Sequence, residues 1–307
     1  MSLRSLLLAL SRRPGIGRAM DRWGATRRLV RRFVAGTTPA DALAVIRDLN
    51  ARGIGGLVTY LGENVRTPAD AEHATGVYLA LLAEARRCGL DCAPSLKLTH
   101  LGLDLDTQLC ETNLTRILER GAGARVWIDM ESSAYTERTL DLYARLRPRH
   151  PGAATVVQAY LRRTPGDVER LVTLGAALRL CKGAYQEPAA LAFPDQRDVD
   201  AAYARLAERL LAPDARARGV FPGFATHDER LQRFVIERAR TLGVPAEVFE
   251  IQMLYGIRHD LHAPLRAGGV GVRVLVPFGE DWYGYFMRRL AERPANLVFL
   301  LRNLVKK

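Results

Sequence analysis

Short apolar runs of strand length alternate with longer segments of helical periodicity along most of the chain, and this alternation constrains the fold most strongly. The apolar runs occupy residues 57–61, 92–98, 125–130, 155–160, 178–181, 220–225, 248–253 and 272–276. Segments of helical period separate them at residues 69–88, 107–120, 136–147, 166–174, 198–211, 228–242 and 259–266. Strand and helix that alternate about eight times predict an α/β fold, a closed (β/α)8 barrel of the TIM type.

The barrel is expected to occupy residues 51–307 and to follow an N-terminal helical segment at residues 1–50. The last helix, residues 282–292, is expected to lie over the barrel mouth. An open doubly wound sheet is the alternative, because it has the same alternation of elements. Such sheets usually carry a glycine-rich turn that follows a strand and opens a helix. The glycine-rich stretches at residues 53–56 and 268–271 precede strands instead, so the barrel is favoured.

Polar side chains follow nearly every predicted strand at its C-terminal end. In strand order they are Glu63, Lys97, Asp129, Gln158, then Arg179, Lys182 and Tyr185, then Thr226 and His227, then Gln252, and in the last helix Arg288 and Arg289. Active sites of (β/α)8 barrels collect at this end of the strands. A single polar residue on a strand is usually a satisfied core group, but polar residues at nearly every strand end predict a functional site.

The basic residues narrow the chemistry of that site. The net charge is +12, yet the arginines are spread along the chain without an aromatic-interleaved basic run, so no nucleic-acid partner is expected. Lys97, Lys182, Lys306 and Lys307 are the only lysines among 45 basic residues. Because lysine offers a compact, titratable charge where arginine offers a planar fork, the two internal lysines are expected to have roles of their own.

The last predicted helix presents charged and aromatic groups together. Helical spacing places Tyr285, Arg288, Arg289 and Glu292 on one face. Two adjacent guanidinium groups suit the binding of an anion, and a solvated helix face is the alternative. The alternatives are decided by whether other polar residues converge on the same place.

The N-terminal segment, residues 2–34, combines an apolar run at residues 6–10 with arginine pairs further along. The run is much shorter than the roughly 20 residues that cross a bilayer, and the first arginine pair follows it, unlike in an export signal. A basic amphipathic segment on an anionic membrane surface and a helix packed on the barrel remain alternatives. The four cysteines form no CxxC pair and are expected to be reduced thiols in a cytoplasmic protein.

Two chemistries fit the strand-end residues. Lys97 facing Asp129 could form a Schiff base beside an acid, as in an aldolase-type lyase. Alternatively, the polar groups hydrogen-bond along a large, partly anionic cofactor while the arginine pair holds a substrate carboxylate. The number of polar groups favours the second hypothesis. No metal is expected, because the only close histidine spacing, His259 and His262, fits a solvated pair on a surface helix.

Five segments in the same order resemble the strand-end motifs of the proline dehydrogenase family. They are SLKL at residues 95–98, RLCKGAY at 179–185, FATH at 224–227, EIQML at 250–254 and YFMRR at 285–289. The likeness extends over residues 63–296, and the chain length is that of the monofunctional bacterial form. The resemblance implies a (β/α)8 barrel with non-covalent FAD that oxidises L-proline to Δ1-pyrroline-5-carboxylate by hydride transfer, the first step of proline catabolism.

The resemblance also implies partners and a location. A membrane quinone is expected to reoxidise the reduced flavin, and a separate pyrroline-5-carboxylate dehydrogenase is expected as a functional partner. The expected location is the cytoplasm, peripheral at the inner face of the cell membrane. The basic N-terminal segment would then have a purpose.

Substrate-binding roles follow from the resemblance residue by residue. Arg288 and Arg289 are expected to pair with the proline carboxylate, with Lys97 beside it. Asp129 is expected to support Lys97 and the substrate pocket, and Glu63 to act as a gate that pairs with Arg288. The residues expected to wall the proline ring are Tyr185, Leu254 and Tyr285.

Cofactor-binding roles follow in the same way. Arg179 is expected near the flavin N5, where a fixed cation favours the electron-rich reduced ring. Asp129 and Arg179 are therefore the expected catalytic residues. The residues expected to bind FAD are Met130, Gln158, Arg179, Cys181, Lys182, Gly183, Ala184, Thr226, His227, Gln252 and Glu292.

Two positions depart from the family pattern. The family often has tyrosine just before the Val-Pro of strand eight, where it disfavours a hydroxyl on the proline ring, and this chain has Leu275. The departure makes 4-hydroxyproline an additional expected substrate. Gln186 stands where some relatives have tryptophan beside the flavin.

Overall fold

The computed structural model describes residues 30–292, except for the side chains of Arg288 and residues 290–292. Most of the N-terminal segment at residues 2–34 therefore lies outside the described residues, as do the expected contacts of Arg288 and Glu292.

Eight parallel strands close into a barrel in which each strand pairs with the next and the last pairs with the first. Their bounds are Gly55–Tyr60 (β1), Cys92–Leu96 (β2), Val126–Ile128 (β3), Ala153–Gln158 (β4), Ala177–Cys181 (β5), Phe221–Ala225 (β6), Glu250–Leu254 (β7) and Gly271–Phe278 (β8). Each strand overlaps one of the predicted apolar runs. The prediction of a TIM-type barrel is confirmed.

Helices cover the outside of the barrel. Their bounds are Pro39–Asn50 (α1), Pro68–Arg87 (α2), Thr107–Arg120 (α3), Thr136–Leu146 (α4), Thr164–Thr173 (α5), Gln196–Leu211 (α6), Pro213–Ala217 (α7), Glu229–Thr241 (α8), His262–Ala267 (α9) and Trp282–Glu292 (α10). None of the helices within residues 30–292 combines the length and the apolar character that a membrane crossing requires.

Alternation along each strand separates two apolar regions. Because successive side chains point to opposite faces of a strand, every second residue faces the barrel interior. Leu57, Ala93, Trp127, Ala154 and Ala177 form an inner cluster inside the barrel. The residues between them pack against the helices in the main core. On β2 and β5, and just after β3, the inward positions two residues further along are polar: Ser95, Arg179 and Asp129.

Helix α1 packs on the barrel through its buried residues Ala42, Leu43, Ile46 and Leu49, which join the main core. It starts at a capping box in which the side chain of Thr38 accepts from the backbone N–H three residues later. The proposed boundary at residue 50 stays a prediction, although this helix shares its core with the strands.

The last helix, α10, lies on a second apolar cluster at the end of the barrel. Its buried residues include Trp282, Tyr285 and Phe286, which cluster with Val30 and Phe33 near the start of the described chain. The Phe33 and Phe286 rings are 6.1 Å apart. This packing fixes the position of α10 relative to the strand ends.

Candidate active site

The guanidinium of Arg179, on β5, lies at the centre of the polar interior. Arg179 Nη1 donates to Asp129 Oδ1 at 2.7 Å and to Ser95 Oγ at 2.9 Å, and Arg179 Nε donates to Gln252. Ser95 Oγ also donates to Asp129 Oδ1 at 2.7 Å. The guanidinium lies 4.7 Å above the ring of Trp127. Four strands therefore contribute to holding one buried cation.

Burial makes this cation costly unless it is paired. Arg179 is 6% exposed, and burial lowers the pKa of its guanidinium while the negative charge of Asp129 acts in the opposite direction. Its Nη2 is buried without a hydrogen-bond partner among residues 30–292. A buried donor left over in this way calls for an acceptor that the described chain does not supply.

Lys97, at the end of β2, forms a second and shallower ion pair. Its Nζ lies 2.6 Å from Oε2 of Glu63, which follows β1. The expectation that Asp129 supports Lys97 differs from the observed contacts, because Asp129 binds Arg179 and Ser95 instead. Glu63 likewise pairs with Lys97 here, while its expected partner Arg288 has no described side chain.

Other expected cofactor residues surround the same strand ends. Gln158 Nε2 donates to the carbonyl of Glu131 at 2.9 Å. The Nζ of Lys182 lies 2.6 Å from Asp200 and 3.1 Å from Asp228. These side chains are held by their own neighbours, as a preformed site requires.

The residues after β5 and β6 are fixed mainly by backbone and packing. Gly183 has φ +117, and a β-carbon there would collide with the ring of Tyr160, so a glycine is required. Thr226 accepts from the backbone of Asp228 at 3.1 Å, and the Nε2 of His227 accepts from Leu254 N–H at 2.8 Å. Met130 is buried, and Cys181 and Ala184 are half-buried. Burial raises the pKa of the Cys181 thiol to about 12.

The substrate-wall residues come from three different elements. Tyr185 and Leu254 are half-buried, and Leu254 packs against the cluster that contains Tyr285. The guanidinium of Arg289 lies 5.1 Å from the Tyr285 ring centroid, and Arg289 is 9% exposed. The solvated-face alternative is therefore wrong for Arg289.

Besides Trp127, three buried polar side chains belong to this interior but were not among the expected site residues. They are Ser95, Glu131 and Glu250. Burial raises the pKa of Glu131, which accepts from Thr99 Oγ1 at 2.7 Å. Strand alternation could have predicted two of these residues, because Ser95 lies two residues before Lys97 and Glu250 two residues before Gln252.

The expectation for the histidine pair was half wrong. His259 is exposed, but His262 is 5% exposed and burial lowers the pKa of its imidazole. The prediction treated both as solvated because they are close in sequence, whereas His262, the first residue of α9, is buried. Within residues 30–292, no group of three or more potential ligands could hold a metal ion.

A separate cleft of about 700 Å³ opens at the opposite, N-terminal end of the barrel. Its lining includes Arg125, Glu250 and Arg273. None of the expected substrate or cofactor residues lines this cleft. The strand-end site is therefore the candidate active site, in agreement with where this fold places its chemistry.

A (β/α)8 barrel whose strand ends converge on buried and paired charges has the architecture of an enzyme. The family model for proline dehydrogenase matches residues 42–302. Proline dehydrogenase 2 of Bacillus subtilis (strain 168) is 37% identical over the full length of both chains, 100% of each. Proline dehydrogenase of Deinococcus radiodurans is 38% identical over 91% of this chain and 90% of its own. The chain belongs to the proline dehydrogenase family.

A solved structure shows the same barrel. Proline utilization A from Bdellovibrio bacteriovorus, inactivated by N-propargylglycine, superposes with a TM-score of 0.80 at 24% identity. The match covers 87% of this chain and 33% of that one. The chain therefore spans about a third of the length of that solved protein, and the likeness establishes the fold.

Proposed function

We propose that the protein oxidises L-proline to Δ1-pyrroline-5-carboxylate with non-covalent FAD, as the first step of proline catabolism. The observation that carries the proposal is the buried guanidinium of Arg179. It is held by Asp129, Ser95 and Gln252, and its Nη2 has no partner among the described residues. Membership of the proline dehydrogenase family supplies the substrate.

The residues at the strand ends fit a flavin. The leftover donor of Arg179 suits an acceptor on an electron-rich ring, because a fixed cation stabilises developing negative charge. Further groups proposed to hold the cofactor are Met130, Gln158, Cys181, Lys182, Gly183, Ala184, Thr226, His227, Gln252 and Glu292. When bound, FAD would supply the hydride acceptor.

The substrate is proposed to bind beside the last helix. Arg288 and Arg289 are assigned to its carboxylate, and Lys97 adds a third cation. Tyr185, Leu254 and Tyr285 are assigned to the walls of the ring. The task of these residues is to hold the proline in a reactive orientation and to exclude water. Glu63 is proposed to close the site.

The decisive experiment is the visible spectrum of the purified protein with and without L-proline. We expect a yellow protein with the visible absorbance band of an oxidised flavin, which bleaches anaerobically when proline is added. D-proline and glycine serve as controls and should leave the band unchanged. A colourless protein that binds no added FAD, or a band that proline does not bleach, contradicts the proposal.

A Schiff-base lyase is the second candidate, and the ion pair of Lys97 argues against it. Its Nζ lies 2.6 Å from Glu63, and an amine held in that ion pair is not free to attack a carbonyl carbon. Borohydride trapping of a carbonyl substrate on Lys97 would support the lyase. Unmodified Lys97 after that treatment is the expected result.

Acceptance of 4-hydroxyproline is proposed as an additional activity. Leu275 contacts the inner apolar cluster and offers no hydroxyl at the position where the family often has tyrosine. We expect Leu275→Tyr to lower kcat/KM for 4-hydroxyproline more than for proline. Equal effects on both substrates contradict the assignment.

A membrane quinone is the proposed electron acceptor, with the protein in the cytoplasm at the inner membrane face. A separate pyrroline-5-carboxylate dehydrogenase is the proposed consumer of the product. Deleting residues 2–29 should weaken binding to anionic liposomes while leaving Val30 and Phe33, which pack against α10. Unchanged binding to liposomes removes the membrane assignment.

A further inference from the structure

A chain of hydrogen-bonded side chains runs through the barrel interior from the candidate active site to the opposite end. Below Arg179, Gln252 Nε2 donates to Glu250 Oε1 at 2.6 Å. Arg273 Nε donates to Glu250 Oε2 at 3.1 Å, and Arg273 Nη1 donates to Asp91 Oδ1 at 2.7 Å. We refer to Gln252, Glu250, Arg273 and Asp91 as the interior chain. Its last three members have no role in the proposed reaction.

The interior chain determines which way the amide of Gln252 points. An ionised carboxylate only accepts hydrogen bonds, so the Gln252 atom that faces Glu250 must be the NH2 group. The amide oxygen is then directed to the other side, where it accepts from Arg179 Nε. Without the carboxylate, the amide could turn and present a donor to a guanidinium that also only donates.

The sequence places these groups by simple alternation. Glu250 and Gln252 are separated by one residue on β7, so both face the barrel interior. The neighbouring inward position on β6 is Gly223, where a β-carbon would lie 2.6 Å from Gln252 Nε2. The absence of a side chain at Gly223 therefore makes room for the amide beside Arg179.

We propose that Glu250 is a positioning residue that sets the orientation and electrostatic environment of Arg179, and thereby the reduction potential of the bound flavin. The proposal rests on the proposed function, because it requires a flavin beside Arg179. Glu250 acts through Gln252 and carries its own negative charge, which Arg273 offsets. Burial strengthens both effects, since Glu250 is 7% exposed and Gln252 is 3% exposed.

The opposite charges of Glu250 and Arg273 predict potential shifts of opposite sign in two variants. Glu250→Gln removes a negative charge near Arg179, so the electron-rich reduced flavin is stabilised and the potential rises. Arg273→Gln leaves the charge of Glu250 without its cation, so the potential falls. We expect about a tenfold change in the ratio of oxidised to reduced flavin in each case, which is about 30 mV for a two-electron couple.

The experiment is an anaerobic spectrophotometric titration of each flavin-loaded variant against a reference dye. The matched control is Glu247→Gln, the same acid-to-amide change three residues earlier, where the side chain is exposed. Its potential should equal that of the wild type. Glu250→Asp, which keeps the charge, should return the potential toward the wild-type value.

Opposite shifts with an unmoved control support the proposal. Shifts of the same sign in both variants, or no shift in either, overturn it, because a merely structural role loosens the site without reversing sign. If Glu250→Gln or Arg273→Gln fails to hold flavin, the remaining variant decides by the sign of its shift. If both fail, Asp91→Asn decides, since that side chain is 60% exposed and its loss should raise the potential slightly.

The wild-type measurement separates this inference from the proposed function. If the wild type holds no flavin, or proline does not bleach it, the proposed function fails. If proline bleaches the wild type but the variants do not move the potential, only the role of Glu250 fails.

Discussion

Two cations at the strand ends, Arg179 and Lys97, both form short ion pairs but are held in different ways. Arg179 lies 2.7 Å from Asp129 with its side chain 8% exposed, and Ser95 also binds it. Lys97 lies 2.6 Å from Glu63, with side chains 17% and 33% exposed. The first pair is anchored on strands from several directions, whereas the second joins a strand end to a loop.

The depth of each ion pair determines which cation can change its partner. Removing a partner from Arg179 leaves a buried charge uncompensated, which costs about 3–5 kcal/mol, so this cation is a fixed part of the site. Lys97 has one described carboxylate partner that water can reach, so an incoming carboxylate can replace Glu63 at low cost. We therefore expect the deep cation to supply a constant field and the shallow one to exchange its carboxylate ligand.

The largest effect is expected when Arg179, the fixed cation, is replaced. Arg179→Met should lower the rate of flavin reduction by proline by about 10²–10³-fold, because a preorganised charge is lost where negative charge develops. Stopped-flow bleaching at saturating proline measures this rate. Arg179→Lys is the matched control, since it keeps the charge without the planar fork, and its rate should fall between the two. A rate for Arg179→Met within threefold of the wild type contradicts the fixed-field role.

His100 is buried within reach of the charge of Lys97, and it should make the stability of the folded protein depend on pH. Burial, followed by the charge of Lys97, lowers the pKa of His100 from 6.5 to about 4. As the pH falls below about 6.5, the unfolded chain takes up a proton that the folded protein does not bind until about pH 4. The free energy of unfolding should therefore decrease by about 3 kcal/mol across this window.

Urea unfolding at several pH values between 7 and 4 measures the effect of His100. In His100→Gln the decrease in unfolding free energy between pH 7 and 4 should be smaller by about 3 kcal/mol, whatever the change in absolute stability. An unchanged slope in His100→Gln contradicts the prediction.

The ion pair between Lys97 and Glu63 gives the third expected effect, and it distinguishes two roles of Glu63. Lys97→Met should raise the KM for proline by about 30-fold, a loss of roughly 2 kcal/mol in one charged contact. Glu63→Gln should lower the KM, because the substrate carboxylate then has no competitor for Lys97. If Glu63 acts mainly as the gate that pairs with Arg288, the same variant raises the KM instead. Steady-state kinetics with both variants decides between exchange and gating.

The sequence was sufficient for the barrel and for the ring of strand-end residues. Period-two burial and helical spacing are local properties, and parallel strands bring their carboxyl ends to one face whatever their partners. Lys97, Asp129, Arg179 and Gln252 were therefore expected at that face, and the structure places all four there. These local patterns are therefore enough to predict the barrel and the residues at its strand ends.

The choice of partners could not be predicted in the same way. Asp129 was expected to support Lys97, yet it binds Arg179, from a strand 50 residues away. Arg179 and Gln252 are 73 residues apart in the chain. The pairing of carboxylates with cations depends on how deep each side chain lies inside the closed barrel. That depth is set by the stagger between neighbouring strands. One sequence does not reveal that stagger.

The smallest expected effect concerns the space beside the deep cation. Gly223→Ala places a β-carbon 2.6 Å from Gln252 Nε2, 3.0 Å from its Cδ and 3.3 Å from Trp127. The amide is hydrogen-bonded at both ends, so it can move away only by weakening its bond to Glu250 or to Arg179. The variant should lose about 1–2 kcal/mol of unfolding free energy through overpacking and strained hydrogen bonds.

The matched control for Gly223→Ala lies in the interior of α2. A β-carbon at Gly76 would have nothing within 4 Å, and alanine favours a helix over glycine by about 1 kcal/mol. Gly76→Ala should therefore stabilise the protein, whereas the same change at Gly223 destabilises it. Denaturant unfolding measures both. If Gly223→Ala is as stable as the wild type, the barrel interior can yield around Gln252, and the contrast between a rigid deep site and an adaptable shallow one is lost.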